Sequence, residues 1–378
     1  MLDYELLRLI WWALLGILLI GFAVLDGFDL GVAGLLPFVS KTDVERRIVL
    51  NTVGPVWEGN QVWLILGGGA IFAAWPALYA VSFSGFYLAI FLALFAIIIR
   101  PVGFKFRSKM PNPQWRNFWD NALFVGGIVP ALIFGVAFGN LFLGVPFHFN
   151  EELRSFYTGG FFELLTPFPL LCGVLAILMM LLQGSTFLAL KTEKKIQQRS
   201  VAYGQVISLL TALLFTLCGV WLWSSIEGYA IISEINTAGP SNPVIKEVSR
   251  QTGTWMTWHQ IHPMTYAVPA LGIFMAFMTA LLLRTRCHTC AFLSSSLTTF
   301  SIIATAGLSL FPFLLPSSTH PSHSLTVWDA SSSQMTLFVM LIATLIFLPI
   351  VLVYTAWVYR VLRGKVTEKT IKKETNAY

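Results

Sequence analysis

The sequence predicts an all-α integral membrane protein: about nine transmembrane helices, arranged as two similar four-helix bundles plus one extra helix. Three observations carry this. Of 378 residues, 56% are hydrophobic and 11% charged, with a mean hydropathy of +0.73; a soluble domain carries about 25% charged residues. Apolar runs long enough to span a bilayer alternate with short basic loops. A faint internal repeat relates the first half of the chain to the second.

A span needs about 20 mainly apolar residues. Nine stretches qualify, at about 9–37, 47–74, 77–100, 119–145, 164–190, 201–224, 264–284, 290–313 and 336–359. The first follows Met1-Leu-Asp-Tyr-Glu; with no basic n-region, it reads as a retained span rather than a cleaved signal. The second is interrupted by Gly54-Pro55, a break tolerated where neighbouring protein or water satisfies the freed backbone. Lys and Arg outnumber Asp and Glu by 24 to 18, and the excess lies in alternate loops: Lys41–Arg47, Arg100–Arg116, Lys191–Arg199, Arg284–Arg286 and Arg360–Lys373. That pattern sets topology rather than nucleic-acid binding, and places these loops and the C-terminus in the cytoplasm, the N-terminus in the periplasm.

Aligning Asp26-Gly27 with Gln183-Gly184 superposes Leu14 on Leu171, Gly16 on Gly173 and Leu25 on Leu182. The expected division is therefore 1–145 for the first bundle, 146–313 for the second, and 314–378 for an outer loop, the last span and a basic tail. In the second copy, Gln183 and Thr186 stand where the first has Asp26 and Asp29, so the carboxylates belong to the first bundle.

Those carboxylates are the main chemical signal. Gly54-Pro-Val-Trp-Glu-Gly-Asn-Gln-Val-Trp63 places Glu58 and Gln61 inside a span, between Trp57 and Trp63. An intramembrane carboxylate costs roughly 2.5–3.5 kcal/mol by insertion scales. Asp26 and Asp29 are three apart and share a helix face. At 1.5 Å per residue, Asp29 and Glu58 lie on the order of 12–17 Å from the cytoplasmic helix ends. Arg100 closes the third span and Asp120 opens the fourth, so three or four carboxylates are expected around one guanidinium. Such a cluster suits a proton path, a quinone headgroup site walled by Trp57, Gln61 and Trp63, or a transported cation. A plain ion-pair network is the bland alternative.

Other motifs read as structural. Cys287-His-Thr-Cys290 lacks a second ligand pair and reads as reduced thiols. His259 and His262, with Trp255 and Trp258, read as interfacial belt and loop packing. Trp11, Trp12, Trp221, Trp223 and Trp357 read as interfacial belt residues. Gly135-x-x-x-Gly139 and Gly67-Gly68-Gly69 read as sites of close helix approach. The six histidines (148, 259, 262, 288, 320 and 323) all fall outside mid-span positions, so no haem ligated by this chain within the bilayer is expected.

Asp26-Gly-Phe-Asp-Leu-Gly31, Trp57-Glu-Gly-Asn-Gln-Val-Trp63, Phe72-Ala-Ala-Trp-Pro76, Phe83-Ser-Gly-Phe-Tyr87 and Arg100-Pro resemble subunit II of cytochrome bd-type quinol oxidases. So do Gly135-Val-Ala-Phe-Gly-Asn140, Phe311-Pro-Phe-Leu-Leu-Pro-Ser-Ser318, Trp328-Asp-Ala-Ser-Ser-Ser-Gln334 and Tyr354-Thr-Ala-Trp357. The resemblance runs from about Asp3 to the tail and is closest to the proteobacterial type.

The resemblance implies a terminal oxidase of the bacterial cytoplasmic membrane, oxidising quinol and reducing dioxygen to water with generation of proton motive force. Two b-type haems and one d-type haem belong to subunit I, the partner; a small single-span accessory subunit is compatible with it. It further implies that subunit II packs against subunit I, supports the haem-bearing half and can hold a quinone of structural type, such as ubiquinone. The position of Glu58 is assigned to a proton path toward the oxygen-reducing haem. Asp26, Asp29, Trp57, Gln61, Trp63, Arg100 and Asp120 become proton-path or quinone-lining candidates. The chain departs from the family at Glu58 itself, where many members have Asp. The competing readings are a proton-coupled secondary transporter and a purely structural membrane subunit.

Overall fold

The computed structural model describes residues 2–373, with side chains through residue 371. Its first helix, α1 (Tyr4–Val39), has 36 residues and is about 54 Å long. The next, α2 (Asp43–Val53), is opened by a capping box in which Thr42 and Glu45 satisfy each other's backbone N–H groups, a reciprocal arrangement that fixes a helix start. At Gly54-Pro55-Val56 the helix stops. It resumes as α3 (Trp57–Ala74).

Among the described residues, eight helices are long and apolar enough to cross a membrane. The expected second span is missing from that set, because the 18 residues of α3 begin with Glu58, Asn60 and Gln61. Its residues are divided between α2 and α3.

The third span also differs from expectation. A break at Phe86 separates α4 (Pro76–Gly85) from α5 (Tyr87–Phe106), and α5 runs straight through Arg100-Pro101. Sequence reading ends this span at Arg100, since proline lacks the N–H that continues a helix. Here the lost bond is accommodated inside α5, and Arg100 lies a turn and a half from its end.

Then come α6 (Pro113–Leu143), the hairpin β1 (Phe147–Phe149) and β2 (Ser155–Tyr157), α7 (Pro167–Lys191) and α8 (Lys194–Ser224). A second hairpin, β3 (Glu227–Ile231) with β4 (Val248–Thr252), leads through the short α9 (Thr257–Ile261) to α10 (Ala267–Arg284) and α11 (His288–Leu310). A third pairs β5 (Phe313–Leu315) with β6 (Leu325–Thr326), before α12 (Gln334–Val361) and α13 (Glu368–Lys373).

Helices α1, α3, α5 and α6 pack against one another, as do α7, α8, α10 and α11; α1 and α6 both lean on α7. Where α1 crosses α7, a Cβ on Gly31 would strike the backbone of Met180, and one on Gly184 the backbone of Gly31. Small residues let helix backbones touch in a membrane, where apolar surface alone gives no preference for protein over lipid. Gly135 and Gly139 play that role between α6 and α7, but Gly67, Gly68 and Gly69 face open space.

All three hairpins gather at one end of the molecule. There Arg8, fully buried, donates to the carbonyls of Thr237 (2.5 Å) and Gly239 (3.0 Å) and to the hydroxyl of Ser331 (2.7 Å). Lys246 pairs with Asp329 at 2.8 Å. The opposite end carries most of the remaining basic residues. Two tryptophan assignments change: Trp11 is buried with its indole N–H on the carbonyl of Leu337 (2.9 Å), and Trp255 is buried on that of Phe142 (3.1 Å). Trp221, Trp223 and Trp357 do lie on the surface. Cys287 and Cys290 are joined as a disulfide, not left as separate thiols, because the cap and first turn of α11 hold their Cα atoms 5.4 Å apart.

Candidate functional site: a buried polar cluster in the first bundle

Asp29 lies ten residues from the end of α1, about 15 Å below it. It is fully buried, and the side-chain amide of Asn60 donates to its Oδ2 at 2.8 Å. Asn60 Oδ1 in turn accepts from the hydroxyl of Tyr359, on α12, at 2.7 Å. The break at Gly54-Pro55 therefore brings the first turn of α3 to the depth of Asp29. Asp26, one turn from Asp29, faces Arg100 of α5, with both guanidinium NH2 groups 3.3 Å from its oxygens. Both members of this pair are essentially sealed from solvent.

A buried pair of this kind holds together because removing either charge would strand the other. Three polar atoms of the cluster are nonetheless buried without a hydrogen-bond partner among the described residues: Asp29 Oδ1, Arg100 Nε and Trp57 Nε1. Trp57 stacks on Phe104, one turn beyond Arg100, with ring centroids 5.5 Å apart.

Tyr359 is where this cluster meets the basic end. Its ring borders a cavity of about 460 Å³ with Leu25, Phe28, Phe187 and Lys365, and another of about 200 Å³ with Thr52, Pro55 and Arg363. From these cavities, Tyr359 and Asn60 lead to Asp29.

Other expected members are elsewhere. Glu58 is exposed. Residues two apart on a helix point away from one another, so the rotation that aims Asn60 at Asp29 turns Glu58 outward. It does not face Asp26, Asp29 or Arg100, contrary to the expected convergence. As the second residue of α3 it sits at the helix's positive end, which favours a carboxylate. Around it the outer face of α3 is apolar and exposed at Val62, Ile65 and Leu66.

Asp120 also stands apart. It opens no helix, since α6 starts seven residues earlier at Pro113. It accepts from Arg107 Nε (2.5 Å) and Arg46 (2.7 Å), while Asp43 accepts from Arg107 and Arg116, each at 2.8 Å. This network ties α2, α5 and α6 at the basic end. Thus the four carboxylates part company: Asp26 pairs with Arg100, Asp29 with the Asn60 amide, Asp120 with Arg107 and Arg46, and Glu58 lies on an exposed face.

Gln61 is half-buried and Trp63 buried, its ring against Gly21. A separate apolar cavity of about 260 Å³ lies between α1, α6, α7, α8 and α11, and none of Trp57, Gln61, Trp63, Arg100 or Asp120 lines it. In the second bundle, Gln183 takes the place of Asp26 and is satisfied without charge. It donates to Ser296 and accepts from Ser295, each at 2.7 Å.

Sequence reasoning did not single out Asn60 or Tyr359 as working parts. Asn60 sat within the polar run beside Glu58 and was available as a partner for Asp29. Tyr359 carries no such signal, because only the fold brings the end of α12 beside the start of α3.

Comparison with known proteins adds to this geometry. A family model described as cytochrome bd terminal oxidase subunit II matches residues 7–362. The chain is 50% identical over 377 residues to the "Probable cytochrome oxidase subunit 2" of Haemophilus influenzae, covering all of both chains. It is 49% identical over 377 residues to the "Cytochrome bd-I ubiquinol oxidase subunit 2" of Escherichia coli K12, again covering both completely. The corresponding Bacillus subtilis protein is 31% identical over 363 residues, covering 95% of this chain and 97% of that one. In fold, the chain is similar to the bd oxidase from Geobacillus thermodenitrificans, with a TM-score of 0.67 at 16% identity, covering 94% of this chain and 98% of that chain.

Proposed function

Because the chain belongs to the cytochrome bd terminal oxidase subunit II family, and so is a subunit of a quinol oxidase, we propose that it is the proton-inlet subunit of that enzyme. In this reading the haems reside in the partner subunit I, the basic end faces the cytoplasm, and Glu58 passes protons to the partner. The observation that carries it is the exposed carboxylate of Glu58, without an ion-pair partner among the described residues, within the apolar face of α3. In lipid such a charge is costly; against a polar path in a partner it has a use. The open Gly67–Gly69 stretch on the same helix suits close approach by a partner helix.

The buried acids divide the remaining work. Asp26 is held as the counter-ion of Arg100 and sets the charge of the cluster. Asp29 has one oxygen without a hydrogen-bond partner among the described residues and connects to the basic-end cavities through Asn60 and Tyr359, so it is the second proton-holding candidate. Asn60 has no acidic proton and positions rather than relays. Replacing Glu58 with Gln should slow quinol-driven oxygen consumption while assembly and haem content stay intact; unchanged turnover would sink the proposal.

A ubiquinone in this subunit draws on separate observations. The apolar cavity of about 260 Å³ suits an isoprenoid tail; Trp57, a buried donor suited to a quinone carbonyl, lies outside that cavity and supports the reading separately. Filling that cavity with Ala176→Trp should lower the quinone extracted with the purified complex, at unchanged haem content.

A further inference from the structure

Where α12 ends, the chain folds back over the end of α7. Lys191 Nζ donates to the carbonyl of Leu362 at 2.8 Å, and the N–H of Val366 donates to the carbonyl of Lys191 at 2.8 Å. The reversal passes through Gly364, whose φ of +119° is one that residues with a Cβ rarely adopt. This clasp gathers Lys191, Arg363 and Lys365 at the rim of the cavity of about 460 Å³ beside Tyr359, and all three also line the neighbouring cavity of about 200 Å³. None of the three has an ion-pair partner among the described residues; the acid closest to Lys191 in sequence, Glu193, pairs with Lys194 at 3.8 Å. Below the rim the larger cavity is walled by Leu25, Phe28, Phe187 and Phe292, with the rings of Phe28 and Phe187 stacked at 4.0 Å. Leu25 lies 14 residues from the end of α1, about 21 Å inward, so the cavity reaches from the helix ends deep between α1, α7, α11 and α12.

The two parts of this cavity ask for different chemistry. Three cations without counter-ions suit an anion, and the aromatic wall beneath them suits hydrocarbon. A free anion would leave the wall unmatched, and an uncharged amphiphile would leave the rim unmatched. Basic pockets between the ends of membrane helices suit the phosphate headgroups of anionic lipids. We propose that this cavity seats one anionic phospholipid, its phosphate on Lys191, Arg363 and Lys365 and an acyl chain against Phe28, Phe187 and Phe292. The lipid then fills the space between α12 and the helices behind it, and covers the side of Tyr359 that borders the cavity. The proposal rests on charge and shape at the basic end and not on Glu58, so failure of the proton-inlet reading leaves it untouched.

The test uses the intact complex, purified in detergent and freed of loosely held lipid. It is incubated with phosphatidylglycerol carrying a photoreactive diazirine in one acyl chain, or with phosphatidylcholine of the same chains, then irradiated, digested and analysed by mass spectrometry. The expected result is lipid adducts on the peptides of Phe28, Phe187 and Phe292 with phosphatidylglycerol and not with phosphatidylcholine. A complex carrying Arg363→Gln and Lys365→Gln, both on exposed side chains, should keep its haem content and need roughly 30-fold more phosphatidylglycerol for the same labelling. Lys105→Gln with Lys109→Gln, which removes two other exposed cations, should label as the wild type does. Equal labelling of the cavity by the two lipids, or labelling confined to the outer face of α12, overturns the proposal. So does undiminished labelling of the Arg363→Gln, Lys365→Gln complex, or displacement by millimolar inorganic phosphate, which would mark the rim as a site for a free anion. The comparison of the two lipids on the unaltered complex decides whether or not the variant folds.

Discussion

Asn60 donates to Asp29 at 2.8 Å and accepts from Tyr359 at 2.7 Å, so one amide fixes the rotation of α3 against both the first and last membrane-spanning helices. That single orientation decides two things at once: Asp29 has a partner inside the protein, and Glu58 has none among the described residues.

Asn60→Leu should therefore be destabilising without touching Glu58. It strands a carboxylate oxygen and a phenol hydroxyl, and leaving such buried groups unsatisfied costs about 1–3 kcal/mol each. Thermal melting of the purified complex measures the loss. Glu58→Gln, on the exposed face, should leave the midpoint where it is and change turnover alone.

The Asp26–Arg100 pair should behave as a unit. Asp26→Asn or Arg100→Leu alone leaves an uncompensated buried charge, at a cost of about 3–5 kcal/mol. The double replacement should recover part of that loss. A double-mutant cycle on melting midpoints would read the coupling, and strict additivity would contradict it.

At the crossing of α1 and α7, Gly31→Leu should be among the most damaging single changes. Its Cβ meets backbone, which cannot rotate away, and overpacking typically costs about 1–3 kcal/mol or more. Gly68→Ala, whose Cβ meets open space in this chain, should leave the fold unaffected; any effect should appear as weaker retention of the partner subunit on co-purification.

The hairpin end should loosen on acidification. Burial lowers the pKa of His259, which hydrogen-bonds to the hydroxyls of Thr265 and Ser309. Burial, then His320, His148 and Lys246, lowers that of His323, whose Nδ1 accepts from the backbone N–H of Phe149. A depressed folded value means the unfolded chain takes up more protons below the ordinary value of about 6.5. Stability from these groups is thus complete above that pH and declines as pH falls through it. Melting midpoints between pH 7.5 and 5 should fall, and His323→Asn should flatten part of the slope.

Much of this was legible in the residues. The three-residue spacing of Asp26 and Asp29 placed them on one face, the position of Asp29 gave its depth, and Gly54-Pro55 marked the break that lets α3 begin inside the bundle. What was not legible followed from rotation and continuity. Pro101 read as a helix end, so Arg100 was placed at the close of its span, when α5 continues beyond it; of the carboxylates expected around that guanidinium, Asp26 pairs with it. Asp120 read as a fourth member because it shares the first bundle, yet Arg107 and Arg46 are nearer the start of α6 and claim it. Glu58 read as inward because polar residues in a span usually are. Only the rotation set by Asn60, through partners 31 and 299 residues away in sequence, shows that it points out.

Helix α12 is the least enclosed of the membrane-spanning helices, with 11% of its apolar window buried. It is pinned mainly near its ends, by Trp11 on Leu337 and by Tyr359 on Asn60. A protein lacking Tyr359 would keep every candidate acid and still lose the hydroxyl that Asn60 accepts from, so the polar cluster of the first bundle is completed from a helix that is otherwise the loosest part of the fold.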